Sequence, residues 1–428
     1  MLKTLDSLQS MTITAAAPSL QEFVQHQTEV NRQLWYAVKA QLPGFNMVYG
    51  EAAKRGNERK LNEAADWLAA SLQRQEAGKG VTPELFREVT GHKLQVLGMD
   101  VLGLSHEQLG VFEKEGILEI SQQFFDEARR FDPKISSADI FQASRNVWTA
   151  TYLQILLGLE ARLTPSVFGY SMLYPVTDNF LDDPARSQAE KIEFNEHFCA
   201  WLNGERLQAA NAHEEAVQTL IGKIEGQYAR DLYPQVYESL LAIFCAQQES
   251  TLLPAAPVSP YAVDVLGVTL RKGGTSVLAD GVLAAGELSP AQMAIIFDYG
   301  CFAQFMDDQE DVDADLRDQA VTVFSASAAA GKLDDLMNRL FAYARVLLNG
   351  LDLFRNERTE PLIELSLKGI DLLMIDACLR TRSHYSRSYL NYLESFFPVH
   401  FRAMGGLQKK IDRNHLNIGR ILPVLWMK

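Results

Sequence analysis

The amino-acid sequence predicts an all-α fold, and three observations support this prediction. Apolar residues recur at three- and four-residue spacing, as in IFQASRNVWTATYLQILLGLEARL (140–163) and LLAIFCAQQESTLL (240–253), which is the pattern of amphipathic helices. Strong helix formers such as Ala, Leu, Gln, Glu and Arg dominate these segments. No segment shows sustained period-two alternation, and no Asn-Gly or Asp-Gly dipeptide lies between two strand-like segments.

Capping residues and prolines mark where several helices are expected to begin. VTPEL (81–85) and SPAQM (289–293) have the Ser/Thr-Pro pattern of a helix N-terminus. In the second, Ser289 is expected to cap, Pro290 fits the first helical position, and Gln292 completes a capping box. The helix that begins here is predicted to continue into an acidic run.

The chain is predicted to consist of a helical N-terminal extension and one main domain. Residues 1–20 are expected to form a frayed arm, and residues 21–90 are helical, polar and rich in Gln and Glu. Together they form the extension, 1–90, which is expected to pack on the domain of residues 91–428. Within that domain, PAAPVSP (254–260) is predicted to be a loop because of its prolines.

A pair of glycines, Gly273 and Gly274, interrupts the apolar helical pattern of RKGGTSVLADGVL (271–283). Glycine lacks a Cβ and tolerates conformations that other residues avoid. The pair therefore predicts either a kink or break in the helix, or a place where another group approaches the backbone closely.

Composition and charge exclude several classes of protein. The chain has 428 residues, of which 47% are hydrophobic, and a net charge of −14, whereas a nucleic-acid binder needs a basic surface. The N-terminus lacks a continuous apolar segment of the signal-peptide type, and no apolar run approaches the roughly 18–20 residues of a membrane span. The four cysteines lack CxxC spacing, which indicates free thiols. We expect a cytoplasmic protein without a transmembrane segment or a nucleic-acid partner.

An acidic run follows an apolar stretch in FAQFMDDQEDVDAD (302–315). Carboxylates at the C-terminal end of the helix that begins at Pro290 are each unfavourable by roughly 0.3–1 kcal/mol, because the helix dipole is negative there. Asp307 and Asp311 also repel each other, since residues at i and i+4 share a face. These penalties favour a bound cation over the alternative, a solvated acidic helix end.

A second acidic cluster lies upstream in YPVTDNFLDD (174–183). Asp178 and Asp182 again have i, i+4 spacing, and Asp183 is adjacent. Two such clusters, each at the edge of an apolar helix, would face each other across a helical bundle. Clusters of carboxylates without His or Cys suit a hard cation such as Mg²⁺.

Other ligand-binding patterns do not fit the sequence. The acidic residues of 311–315 begin like an EF-hand loop, but Leu316 and Thr322 occupy the positions that require Gly and Glu. None of the eight histidines follows a Glu by three residues, as the di-iron bundle motif requires. EAGKGVT (76–82) and RKGGTS (271–276) lack the residue order of a P-loop.

These motifs resemble those of the class I isoprenoid synthase superfamily. GCFAQFMDDQED (300–311) resembles the second aspartate-rich motif of trans-prenyl diphosphate synthases, and DNFLD (178–182) resembles the first, with Asn179 at its second acidic position. RKGGTSVLADGVLAAGEL (271–288) and DLRDQAVT (315–322) resemble the Lys-Thr segment and the DLREGKVT loop of that family. The resemblance covers roughly residues 140–330.

The resemblance implies a class I terpenoid synthase bundle of helices around a central apolar cavity, with Mg²⁺ ions, three with the diphosphate bound, or Mn²⁺ in their place. Direct catalytic roles are implied for Asp178, Asp182, Asp307, Asp311 and Lys272. The metal ligands would be Asp178, Asp182, Asp183, Asp307, Asp308 and Asp311. The prenyl diphosphate is expected to contact Lys272, Thr275, Ser276, Gln304, Arg271, Arg317, Tyr174, Tyr299 and Phe302.

Departures from the family pattern narrow the implied activity. The Arg pair that follows the first motif in chain-elongating enzymes is reduced to Arg186, and Ala320 replaces the Lys of the DLREGKVT loop. These losses favour a terpene synthase acting on one diphosphate. A prenyl diphosphate synthase, a squalene- or phytoene-synthase-like condensing enzyme, and a catalytically silent helical binding subunit remain alternatives. Relatives of this kind also make a homodimer possible.

Overall fold

The computed structural model describes residues 19–77, 79–80, 82–251, 253 and 263–413. Across these residues the chain forms helices and no β-strand, which confirms the all-α prediction. The expected N-terminal arm, apart from its last two residues, and the expected loop at 254–260 lie outside the described residues. The helices are α1 (Leu20–Ala37), α2 (Glu51–Glu76), α3 (Pro83–Asp100), α4 (His106–Lys114), α5 (Ile117–Phe131), α6 (Ser137–Leu156), α7 (Pro165–Asp182), α8 (Gln188–Leu202), α9 (Ala212–Gln227), α10 (Pro234–Thr251), α11 (Val265–Ala285), α12 (Pro290–Glu310), α13 (Val312–Asp318), α14 (Val323–Ala330), α15 (Asp334–Leu348), α16 (Glu360–Arg380), α17 (Arg387–Glu394) and α18 (Phe401–Arg413), with short 3₁₀ helices at Asn349–Phe354 and Arg382–His384.

The helix starts predicted from capping residues are confirmed. The side chain of Ser289 accepts a hydrogen bond from the backbone N–H of Gln292, and the Gln292 side chain accepts one from the backbone N–H of Ser289. Pro290 is the first residue of α12. Thr82 likewise caps α3 ahead of Pro83. Each cap satisfies backbone donors that the first helical turn leaves without a partner.

The helices α11 and α12 form the centre of the protein, and glycines allow them to touch. A Cβ added to Gly300 would lie 2.2 Å from the carbonyl oxygen of Gly273, and one added to Gly274 would lie 2.4 Å from the ring of Phe297. The helix α11 is continuous through the glycine pair, from Val265 to Ala285. Of the two outcomes expected for Gly273 and Gly274, the close approach is therefore the one that occurs.

The first helix belongs to the main hydrophobic core. Trp35 of α1 is 3% exposed and stacks on Phe305 of α12, with 4.2 Å between the ring centroids. Asn31 and Gln27 of the same helix donate hydrogen bonds to the Asp298 carboxylate on α12. The helices α2 and α3 instead share a small separate cluster built on Leu72 and Phe86. The division into an extension, 1–90, and a main domain, 91–428, stays a prediction.

Six helices, α6, α7, α8, α10, α11 and α12, surround a cavity. The short helices α13 and α14, together with the segment after α16, pack around the C-terminal end of α12. In the described part of the chain, no helix combines the length and apolar character needed to cross a membrane.

Candidate active site

The cavity between the six helices has a volume of about 220 Å³. Its open end is polar: Arg145 of α6 and Asp307 of α12 line it there, with side chains that are 64% and 42% exposed. Leucine, isoleucine, valine and phenylalanine side chains form much of the remaining wall, mainly from α8 and α10. The site is thus a cavity of mixed polar and apolar lining with charged groups at its open end.

One acidic cluster reaches this mouth from the C-terminal half of α7. Asp178 lies one turn after Tyr174, which lines the cavity. Partial burial and the neighbouring carboxylate of Asp182 raise the pKa of Asp178, and the ammonium group of Lys272 opposes this shift. Asp178 is therefore a carboxylate whose negative charge is only partly compensated by the protein.

The second acidic cluster reaches the same mouth from the C-terminal end of α12. Burial and the negative charge of Asp307 raise the pKa of Asp311, whereas Arg145 and Lys272 lower it. The Asp307 carboxylate accepts a hydrogen bond from Arg145 at 3.3 Å. Burial first, and then the charges of Asp178 and Asp307, raise the pKa of Tyr174. Asp178 of α7 and Asp307 of α12 therefore both lie near Tyr174, and Asp307 lines the cavity.

Lys272 of α11 lies between the two clusters. Its positive charge acts on Asp178 of α7 and on Asp308 and Asp311 at the end of α12. Lys272 also lines the cavity. The pairing of the two motifs across a bundle and the diphosphate-binding role of Lys272 stay predictions.

Asp308 faces α11. It is 6% exposed, and it accepts hydrogen bonds from Gln304 at 2.8 Å and from Thr269 at 3.2 Å. Burial raises its pKa to about 7, despite these donors and the charge of Lys272. Asp308 was predicted to be a metal ligand, but its carboxyl group instead joins α12 to α11. Gln304, a predicted substrate contact, lines the cavity and orients this carboxyl group.

The end of α7 supplies fewer carboxylates to the cavity mouth than predicted. Asp183 accepts a hydrogen bond from the backbone N–H of Ala185 and lies 3.7 Å from Arg186, so its own loop engages it. Asp182 is exposed. Asn179, at the second acidic position of the motif, donates a hydrogen bond to Asp139 at the start of α6.

Two predicted diphosphate contacts on α11 have other partners. Arg271 makes two hydrogen bonds to Glu249 of α10, at 2.8 and 2.5 Å. Thr275 is 1% exposed, and its hydroxyl donates to the carbonyl oxygen of Arg271 one turn earlier. Lys272 and Ser276 line the cavity. Adjacent residues on a helix point about 100° apart. Lys272 therefore faces the cavity, whereas Arg271 faces α10.

Of the aromatic residues predicted to contact the substrate, one lines the cavity and two pack between helices. Tyr174 lines the cavity. Tyr299 stacks with Tyr152 of α6, with 6.0 Å between ring centroids, and Phe302 is 7% exposed. Tyr299 and Phe302 line a separate small crevice beside α15, so they pack between helices. Arg317 is exposed on α13.

The described carboxylates near the cavity do not by themselves form a complete metal site. Within the described residues, no group of three or more His, Cys, Asp or Glu side chains is close enough to hold a metal ion alone. Asp178 of α7 and Asp311, which follows α12, have pKa values raised by burial and by neighbouring carboxylates. A divalent cation would relieve that repulsion. Mg²⁺ usually takes one or two carboxylates and completes its shell with water and phosphate oxygens.

Two residues at the cavity were not identified from the sequence. Arg145 lies in a segment predicted to be an amphipathic helix, and a single arginine in such a helix does not by itself indicate a functional site. Asp280 lies in the cavity wall and is 3% exposed. The sequence LADGVL (278–283) could have indicated Asp280, because this one acidic residue interrupts an apolar helical pattern.

The basic and aromatic segment RTRSHYSRSY (380–389) contacts the acidic end of α12 and α13. Gln309 of α12 donates hydrogen bonds to the hydroxyl groups of Thr381 and Tyr385, at 2.7 and 3.1 Å. His384 pairs with Asp313 at 2.7 Å. The segment therefore braces the helix end that carries the second acidic cluster.

Comparisons of the chain with protein-family models, curated proteins and solved structures give no match.

Proposed function

We propose that this protein is a Mg²⁺-dependent class I terpene synthase. It ionises an allylic prenyl diphosphate, releases pyrophosphate, and forms a terpene hydrocarbon or alcohol. The observation that supports this proposal is the position of Lys272, which lines the cavity and acts electrostatically on Asp178 of one carboxylate cluster and on Asp311 of the other. Such a mouth attracts an anionic head group only when cations bridge it to the carboxylates, and the chamber below accepts an apolar chain.

The residues at the mouth would bind and orient the diphosphate. Asp178 and Asp311, with Asp307 beside them, would hold Mg²⁺ ions, which act as Lewis acids that stabilise charge on the leaving group. Lys272 would donate a charge-assisted hydrogen bond to a phosphate oxygen. Arg145, exposed and paired with Asp307, is placed to exchange that carboxylate for phosphate once the carboxylate binds a metal ion.

The cavity wall would protect the resulting cation. The faces of α8 and α10 that line the cavity include Phe198, Leu240 and Phe244, which exclude water from an allylic cation. Aromatic faces stabilise a nearby positive charge by roughly 0.5–2 kcal/mol each. The volume of about 220 Å³ is below the roughly 300–1,000 Å³ of typical drug-sized ligand sites. A cavity of this size favours one short prenyl chain over two substrates.

The proposal is tested by incubating the protein with Mg²⁺ and allylic diphosphates of increasing length, with and without isopentenyl diphosphate. We expect pyrophosphate release together with a hydrocarbon or alcohol from a single diphosphate. Longer diphosphates that form only with isopentenyl diphosphate would identify a chain-elongating enzyme instead. No turnover with any substrate, together with no binding of Mg²⁺ and inorganic pyrophosphate, would indicate a helical binding subunit.

Adjacent cations on α11 provide a matched pair of variants. Lys272→Gln removes the charge between the carboxylate clusters, so we expect at least a tenfold loss of affinity for pyrophosphate in the presence of Mg²⁺. Arg271→Gln removes a cation that is paired with Glu249, so affinity should change less than threefold. Calorimetric titration measures both. Equal losses in the two variants would contradict the assignment of Lys272.

A further inference from the structure

Asp280 is a buried carboxyl group in the wall of the cavity. It lies on α11 eight residues after Lys272, which places the two backbone positions about 12 Å apart along the helix. Both residues line the cavity, and Asp280 is 3% exposed. The chamber therefore has a polar group at its mouth and another polar group deep inside.

No protein group satisfies the Asp280 carboxyl within the described residues: no hydrogen bond or ion pair to it is formed. A titratable neighbour is Tyr170 of α7, whose pKa is raised first by burial and then by the charge of Asp280. The Tyr170 hydroxyl makes a long contact, 3.4 Å, with the carbonyl oxygen of Ser276. The tyrosine hydrogen thus points to the backbone of α11.

A buried polar group without a partner is costly for the folded protein. Leaving one unsatisfied costs about 1–3 kcal/mol, and most buried polar side chains are hydrogen-bonded. Burial also raises the pKa of Asp280 well above its usual range. A carboxyl group that stays neutral carries a proton that it can donate in a hydrogen bond. Because Asp280 lines the cavity, its carboxyl group is available to hydrogen-bond a ligand that enters there.

We propose that Asp280 binds a hydroxyl group at the end of the ligand remote from its head group. The ligand would be an apolar chain with a polar group at each end: a head group at Lys272 and a hydroxyl at Asp280. The identity of the head group rests on the proposed function, whereas the recognition of the far hydroxyl does not. A site built to hydrogen-bond a hydroxyl discriminates strongly against an analogue that lacks it, because the buried group is then left unpaired.

The test compares the binding of two prenyl alcohols to the whole protein. One is geraniol, and the other is the diol that carries an additional hydroxyl at its far end. We expect the protein to bind the diol at least tenfold more tightly by calorimetric titration. Because neither probe contains a diphosphate, this result is independent of turnover. Failure of the terpene synthase proposal would appear separately, as absence of pyrophosphate release.

Variants identify the residue responsible. Asp280→Leu should abolish the preference for the diol and leave geraniol bound at least as tightly as in the wild type. Asp298→Asn alters another buried carboxyl, which is bound by α1, and should retain the preference. Equal affinity of the wild type for the two alcohols would overturn the proposal, as would a preference that survives in a folded Asp280→Leu protein.

Discussion

Gly273 and Gly300 bring α11 and α12 into backbone contact at the wall of the cavity. A Cβ on either residue would lie within 2.3 Å of the carbonyl oxygen of the other. Both glycines line the cavity, beside Lys272 and Gln304. The spacing of the two helices, and with it the distance from Lys272 to the carboxylates of α12, depends on this contact.

Gly300→Ala is expected to destabilise the protein. A methyl group 2.2 Å from a backbone oxygen cannot be relieved by a side-chain rotation, and overpacking of this kind costs about 1–3 kcal/mol. Gly222→Ala is the matched control, because Gly222 of α9 has no atom within 4 Å of an added Cβ. There, alanine should stabilise the helix by about 0.5–1 kcal/mol. Urea denaturation measures both changes, and a Gly300→Ala protein as stable as the wild type would refute the close contact.

Trp35→Ala should show that α1 is part of the main core. Trp35 stacks on Phe305 and meets the ring of Tyr343 at 5.4 Å. Replacing such a side chain by alanine costs about 3–5 kcal/mol. The neighbouring Tyr36 is 64% exposed, so Tyr36→Ala should change the free energy of unfolding by less than about 0.5 kcal/mol. Similar small effects for both would mean that α1 is a dispensable extension.

Asp298 is expected to make stability depend on pH. Burial raises its pKa to about 6, although Asn31 and Gln27 donate hydrogen bonds to it. The folded state therefore holds a proton that the unfolded state loses near pH 4. The resulting stabilisation is present at low pH and is lost as the pH rises from about 4 through 6. A shift of about two units corresponds to about 3 kcal/mol.

Asp298→Asn removes this titration. Between pH 4 and 7, the free energy of unfolding of the variant should fall by about 2 kcal/mol less than that of the wild type. Urea denaturation over this pH range provides the comparison. Parallel pH profiles for the two proteins would show that the pKa of Asp298 is the same in the folded and unfolded states.

Asn179→Asp restores the acidic residue of the first motif but should not improve metal binding. The Asn179 amide donates to Asp139 at 3.3 Å on the exposed surface. An aspartate there would face the Asp139 carboxylate and cost up to about 1 kcal/mol, an effect that 1 M salt should largely screen. We expect affinity for Mg²⁺ and pyrophosphate to stay within threefold. In contrast, Asp178→Asn should weaken it at least tenfold, and a tighter Asn179→Asp variant would contradict this placement.

Local signals accounted for the helical fold and for the ends of individual helices. Ser289, Pro290 and Gln292 interact within one turn, so their sequence spacing was sufficient to predict the start of α12. The sequence spacing of Asp307 and Asp311 also indicated a shared helix face. By contrast, the roles of Tyr299 and Phe302 depend on α6 and α15, which are distant in sequence.

The sequence by itself determined that this protein is helical and that it carries two clusters of carboxylates, because helix periodicity and charge repulsion act between near neighbours in the chain. Only the tertiary structure decided which of these groups face the cavity. Lys272 lies at the mouth while Arg271 pairs with Glu249, and Asp280 lies unpaired in the cavity wall. These differences arise from the packing of α7, α10 and α12 around α11, which sets the surroundings of each α11 side chain.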